Sequence, residues 1–354
     1  MLFEGAGRSD ASGTSGRAAM RRREFLGLLT GGVVAWPRTA RAQAPAMPVI
    51  GFLNSASEAA FTRFVESFRQ GLNDERYVEG RNVAIEYRWA DGRYDRLEEH
   101  AADLVHRRVA LIAATGGIQS ARAAKAATST IPLLFISGAD PVRAGLVASI
   151  NRPGGNATGV NVATSEMVAK RLQLLRELVP TATTVVMLQN IKFYPTASDQ
   201  NFVTEVELRE ATAAALAAGL KPLVVDAAAD RDLEVAVDEA VKNGADTLFV
   251  SADPVFTSRR DQIVALAARH GLPAVYPWPV YAEAGGLMSY GPSIGEAYRQ
   301  IGRYAGRILK GAKPSDLPVL MPSAFELVIN SRTAKALGLS IPPLLMLRAS
   351  KVID

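Results

Sequence analysis

The chain has 354 residues, with 40 Lys and Arg against 35 Asp and Glu, three His and no Cys. The lack of cysteine excludes disulfides, thiolate metal sites and a cysteine-linked lipid anchor. Seven arginines and three acids fall in residues 1–42, leaving 33 basic and 32 acidic side chains, so the excess positive charge sits in the leader and not on a nucleic-acid-binding face.

That leader reads as an export signal. Arg21-Arg22-Arg23 precede an apolar run from Phe25 to Trp36, and Ala40 and Ala42 supply a small-residue cleavage site. Twelve apolar residues fall short of the roughly 20 that a spanning helix needs. The order Arg-Arg-Glu-Phe-Leu is similar to a twin-arginine signal, with Arg21 where Ser or Thr is usual; Sec export is the alternative. Met20 stands where such signals begin, so the natural start is expected there and residues 1–42 are assigned to the signal region.

After the leader, short apolar runs alternate with amphipathic stretches. VIGFLN (49–54) precedes a helical pattern carrying Phe61, Phe64, Val65, Phe68 and Leu72. VAIEYRW (83–89), ALIAAT (110–115) and PLLFIS (132–137) each precede a stretch read as helical, the last of them PVRAGLVASI. NRPGGNATG (151–159) breaks the rhythm and reads as a boundary. The pattern then restarts with a helix bearing Met167, Leu172, Leu174, Leu175 and Leu178, followed by TVVMLQN (184–190), KPLVVD (221–226), DTLFVS (246–251) and PAVY (273–276). AGGLMSYGPS (284–293) reads as a return crossing, before a last long helix and the strand FELVIN (325–330). Such alternation predicts two doubly wound α/β lobes with parallel sheets and a cleft between them.

In such sheets ligands sit beyond the carboxyl ends of the strands. The residues there are Asn54 and Ser55; Thr115, Gly116 and Gly117; Ser137 and Gly138; then Asn190, Asp253 and Tyr276. Gly116 and Gly117 open a helix, where backbone N–H groups suit a carboxylate, or they simply make a tight turn. Asp140 before Pro141 reads first as a helix cap. Asp253 either pairs with a ligand ammonium or caps the helix that follows. Tyr276 and Trp278 either fill the core or form an aromatic wall, with flanking prolines favouring a loop wall. His100, His106 and His270 have no metal-binding spacing, and no nucleophile elbow, P-loop or dinucleotide fingerprint occurs. No catalytic residue, metal or cofactor is expected.

Long passages carry a resemblance: FRQGLNDERYVEGRNVAIEYRWADGRYDRL (68–97), DPVRAGLVASINRPGGNATGV (140–160), SRRDQIVALAARHGLPAVY (258–276) and FELVINSRTAKALGL (325–339). With PVIGFLNSAS (48–57) and EAGGLMSYG (283–291), they make the chain similar to periplasmic substrate-binding proteins of ABC transporters, in the family that includes tryptophan/tyrosine-type binding proteins. The resemblance implies a type I periplasmic binding protein: two Rossmann-like lobes joined by three crossovers, hinged near Gly159, near Gly286 and before Phe325. It places lobe one at 45–158 plus 288–320 and lobe two at 159–287 plus 321–354. It also implies a soluble periplasmic monomer that captures a small solute, an amino acid or related carboxylate, and hands it to an inner-membrane permease. The ten residues named above would then be ligand contacts. Where many relatives read Asn-Pro-x-Asn after this strand, the chain has Gln189-Asn190-Ile191-Lys192-Phe193-Tyr194. A ligand-sensing input protein and an exported α/β enzyme are the alternatives.

Overall fold

Short β-branched and aromatic runs form strands here because flanking amphipathic helices cover both faces. The computed structural model describes residues 47–190, 200–226 and 230–354; the export segment and the Ile191–Tyr194 departure lie outside these residues. The first sheet holds β1 (Val49–Asn54), β2 (Ala84–Trp89), β3 (Leu111–Ala114), β4 (Leu133–Ser137) and β5 (Ala157–Asn161) in the order β2-β1-β3-β4-β5, all parallel.

The second contains β6 (Thr184–Gln189), β7 (Lys221–Asp226), β8 (Thr247–Val250), β9 (Ala274–Tyr276), β10 (Met288–Pro292), β11 (Phe325–Asn330) and β12 (Lys351–Ile353). Its order is β12-β11-β10-β9-β8-β6-β7, with β10 and β11 the antiparallel pair. Both lobes thus repeat one arrangement. The first strand of each lies between the second and the third, which puts a topological switch point beside β1 in one lobe and β6 in the other.

Three details differ from the sequence expectation. NRPGGNATG is no simple boundary: its last residues open β5, which stays in the first sheet through Asn161. Gly159 is needed there because a Cβ would lie 2.1 Å from the Phe135 carbonyl oxygen, so the glycine serves strand packing. Likewise AGGLMSYGPS holds β10, which pairs with β9 and β11 in the second sheet, so Met288–Pro292 falls outside the expected lobe one. PVRAGLVASI forms turns and no helix. Asp140 Oδ1 accepts from the N–H groups of Val142 (2.8 Å) and Arg143 (3.2 Å), and Gly145 at φ +71° ends the turn.

The chain passes between the sheets after β5, after β10 and again before β11. The helix Ile294–Leu309 packs on the helix Glu58–Asp74 of the first lobe, where Asp74 takes both Arg299 (2.9 Å) and Arg303 (2.8 Å). Those two bonds hold the Asp74 carboxyl below its usual range. FELVIN returns to the second sheet as β11, and a bridge between Val160 and Leu320 ties the last passage back to β5.

Candidate functional site

At the first switch point the polar side chains bond to one another. Asn54 Nδ2 donates to Thr115 Oγ1 (3.1 Å) and to the Tyr298 hydroxyl (3.2 Å), while its Oδ1 accepts from the Ala56 N–H (2.8 Å). Tyr298 in turn donates to the Thr115 carbonyl (3.0 Å), and Ser55 Oγ donates to the Gly116 carbonyl (2.7 Å). Ser137 Oγ donates to the Ala139 carbonyl (2.9 Å). Asn54, Ser55 and Ser137 are fully buried, and none is among the residues that wall the two chambers described below. Each of these side chains hydrogen-bonds within its own lobe and supports the loop that follows its strand. Gly116 fits this web closely: a Cβ would sit 2.1 Å from the Ser55 nitrogen.

Tyr276 also turns inward. It lies in β9, fully buried and stacked on Tyr281 with ring centroids 4.8 Å apart, so core filling wins over a ligand wall. Burial pushes its hydroxyl pKa up. Its neighbour Trp278 does face a cavity.

The second switch point differs in character. Asp253 caps the helix Pro254–Ser258, its Oδ1 accepting from the Val255 N–H (2.7 Å), as the capping alternative expected. The same oxygen accepts from the Tyr94 hydroxyl of the first lobe (2.9 Å), and Oδ2 accepts from Asn190 Nδ2 (3.1 Å). Burial raises the Asp253 pKa, and these three donors oppose the rise. An ionised carboxylate has about four acceptor positions, so one is left for a ligand donor. Asn190 Oδ1 is buried without a partner.

Arg171 escaped the sequence reading. It lies in the helix Val168–Leu178 with no exposed surface, and Nη2 donates to the Thr164 carbonyl. Its guanidinium carbon stands 5.3 Å from the centroid of the Phe249 ring. Nε and Nη1 have no hydrogen-bond partner, and no carboxylate pairs with the group among the described residues. Desolvation pushes its pKa down to about 9. The signal was legible: a helix in which 168, 171, 172, 175 and 178 share one face carries an arginine on its apolar stripe.

Two adjoining chambers lie between the switch points. The larger, of ≈ 120 Å³, is walled by Gly116, Gly117 and Gly138 from the first lobe, then Arg171, Asn190 and Asp253 from the second, with Tyr94 and Ser165 also lining it. The smaller, of ≈ 40 Å³, shares Gly117, Gly138, Thr164, Ala252 and Pro254 with it and adds Thr115, Phe61, Phe64, Trp278, Ile294 and Tyr298. Of the ten expected contacts, Thr115, Gly116, Gly117, Gly138, Asn190 and Asp253 are thus brought to the cavity walls. In the sequence Phe61 and Phe64 fit an ordinary helix-core pattern and Tyr298 lies in an amphipathic helix, and nothing local tells a core ring from a wall ring.

The lobes touch around these chambers. Arg63 pairs with Glu283 at 2.7 Å, Arg143 with Glu210 at 3.5 Å, and Val255 packs into the apolar cluster of the first lobe beside Tyr94 and Leu97. Among the described residues no group of three His, Asp or Glu side chains is placed to hold a metal, and no helix is long and apolar enough to cross a membrane.

Comparison with known proteins agrees with this geometry. A tyrosine-binding protein of Clostridioides difficile (strain R20291) is 25% identical over 290 residues, covering 82% of this chain and 81% of that protein. Among solved structures, a conserved domain protein from Vibrio cholerae superposes with a TM-score of 0.76 at 25% identity, over 86% of this chain and 99% of that one. An ABC domain from Streptococcus pneumonia in complex with L-Trp gives 0.74 at 25% identity over the same shares. A ligand-free, open substrate binding protein from Clostridium difficile gives 0.58 at 25% identity, covering 87% of this chain and 99% of that one. The chain is therefore nearer in shape to the L-Trp complex than to the open structure, in keeping with the contacts between its lobes. Residues 49–353 match the family model described as ABC transporter substrate binding protein, and the chain belongs to that family.

Proposed function

We propose that the protein is an exported solute receptor, not an enzyme, that closes its two lobes on a small amino acid with an apolar or aromatic side chain and presents it to an ABC permease. The observation that carries this reading is the pair of adjoining chambers, one polar around Asp253, Asn190 and Arg171, the other aromatic around Phe61, Phe64, Trp278 and Tyr298. A zwitterionic head with an apolar tail matches both. The larger chamber, at ≈ 120 Å³, has room for roughly four waters at about 30 Å³ each, which favours a single amino acid over a peptide.

The relatives that bind tyrosine and L-Trp point the same way. The leader of residues 1–42 supports a periplasmic location, and a monomer suffices because each chamber is complete within one chain. Ligand drives closure only through the contacts it makes better in the closed form. Here the walls come from both lobes, so a bridging ligand gains its second set of contacts on closure.

Calorimetric titration and thermal unfolding of the full chain against the twenty L-amino acids test the reading. Binding to the native state alone adds about 2.7 kcal/mol of stability at a hundredfold excess over Kd. The expected result is a shift with leucine, phenylalanine, tyrosine or tryptophan and none with the charged residues. A protein unmoved by every amino acid refutes it.

A further inference from the structure

We infer that Arg171 is the anchor for the ligand's carboxylate, so that the anionic end of the ligand is held by the second lobe and not by the helix start at Gly116-Gly117. This rests on the amino-acid reading above and assigns the orientation of the ligand within the same chambers.

The argument begins with cost. A charged side chain taken wholly out of water needs a counter-charge or a full set of hydrogen bonds. Arg171 has neither: one bond to the Thr164 carbonyl, one ring face from Phe249, and Nε and Nη1 without partners. Its neighbours could have supplied a carboxylate, since Asp253 lines the same chamber. Yet Asp253 is bound instead by Tyr94, Asn190 and the Val255 N–H. Two opposite charges share one cavity wall while each is held apart from the other. A ligand carrying both signs of charge completes both.

The donors also fit the class. A guanidinium has five N–H donors in a planar fork and recognises carboxylates in two-point fashion. Nε and Nη1 are the donors without a partner inside the protein, and both belong to a residue that walls the chamber. Asn190 Oδ1, buried and unpartnered, and the last acceptor position of Asp253 take the ammonium. The zwitterion therefore lies on the second lobe, and its side chain points to Phe61, Phe64 and Tyr298 of the first. Gly116 and Gly117 then serve close backbone approach, with Ser55 and Ser120 both donating to the Gly116 carbonyl.

The test uses the full chain as wild type, Arg171→Met and Arg171→Lys, titrated with L-leucine, L-phenylalanine, their carboxamides and 3-phenylpropionate. Wild type should prefer each acid to its amide by at least roughly thirtyfold, and Arg171→Met should lose that preference and bind acid and amide alike. Arg171→Lys should recover part of it, which separates charge from packing. An acid-to-amide ratio unchanged in Arg171→Met overturns the assignment while leaving the amino-acid reading in place. If no amino acid binds wild type but 3-phenylpropionate binds it and not Arg171→Met, the amino-acid reading fails and the anchor stands. If no carboxylate distinguishes wild type from Arg171→Met, the anchor is overturned.

Discussion

Replacing Arg171 by Met should make the ligand-free protein no less stable, although it removes a fully buried side chain. Desolvation pushes the guanidinium pKa well below its ordinary value, to about 9, which corresponds to a penalty of about 5 kcal/mol at neutral pH. Against this stand one charged hydrogen bond to Thr164, worth about 2 kcal/mol, and a desolvated cation–π contact with Phe249, worth about 2 kcal/mol. Met keeps most of the aliphatic volume, and the Thr164 carbonyl keeps the Met167 N–H at 3.3 Å. The balance is a gain of about 1 kcal/mol. Urea unfolding followed by far-UV circular dichroism measures it, with an unchanged m-value confirming that the same transition is compared. The pH dependence has a fixed sign. The folded pKa lies below the unfolded one, so above about pH 9 the unfolded chain holds the extra proton and wild type gains stability as pH rises. The advantage of Arg171→Met should thus be largest near neutrality and shrink above pH 9. A loss of about 3–5 kcal/mol at pH 7, the cost of breaking a satisfied buried ion pair, would refute the reasoning and mark Arg171 as structural.

Further substitutions probe the rest of the site. Tyr94→Phe deletes the hydrogen bond to Asp253 that joins the lobes, and a charged bond of about 1.5–3 kcal/mol predicts at least tenfold weaker ligand affinity, read by calorimetry. Asp253→Asn keeps an oxygen for the Val255 N–H cap but loses the charge. Affinity for L-phenylalanine should fall while affinity for 3-phenylpropionate does not, and equal losses for both would remove Asp253 from the ammonium site. Burial raises the Asp253 pKa above its unfolded value, so its contribution to stability falls as pH climbs from about 4 through the folded value, and Asp253→Asn should flatten that part of the wild-type profile in urea unfolding. Gly116→Ala drives a methyl against the Ser55 nitrogen and should cost about 1–3 kcal/mol together with binding; a neutral result would show that the loop yields freely.

What the sequence made legible followed from periodicity and position. Alternating apolar runs located most of the strands, and the rule that ligands gather beyond strand ends brought Gly116, Gly138, Asn190 and Asp253 to the cavity. It failed where one residue type serves two purposes. Gly159 sits in a stretch that reads as a boundary, yet it meets a packing requirement against Phe135 inside β5. Tyr276, flanked downstream by proline, looked like a loop wall and is core, because β9 carries it inward onto Tyr281 while the chain turns only at Pro277. Ser55 and Ser137 stand at the right strand ends, but whether a hydroxyl faces a ligand or the adjoining carbonyl is decided by loop geometry that no local pattern encodes. Arg171 is the opposite case. Its position on an apolar stripe was visible in the letters, yet a search confined to strand ends passes over the middle of a helix.

The two lobes share a strand order, and their switch points meet across the same cavity, but they divide the chemistry unequally. In the first lobe Asn54, Ser55, Thr115 and Tyr298 bond inward, leaving rings and glycine backbone at the surface. In the second, Arg171 and Asn190 retain unpartnered atoms. An apolar wall contributes little until water is excluded from it, whereas a charge holds its partner at once, so on the proposed orientation ligand docks first on the second lobe and the first lobe closes over its side chain. The Tyr94–Asp253 bond then acts in the closed form alone, since its two ends belong to different lobes. That division has a kinetic consequence: Arg171→Met should slow capture as well as speed release, whereas Phe64→Ala, which thins only the closing wall, should mainly raise the rate of release in stopped-flow fluorescence of Trp278. Equal effects of both substitutions on the association rate would mean that ligand meets the two lobes together.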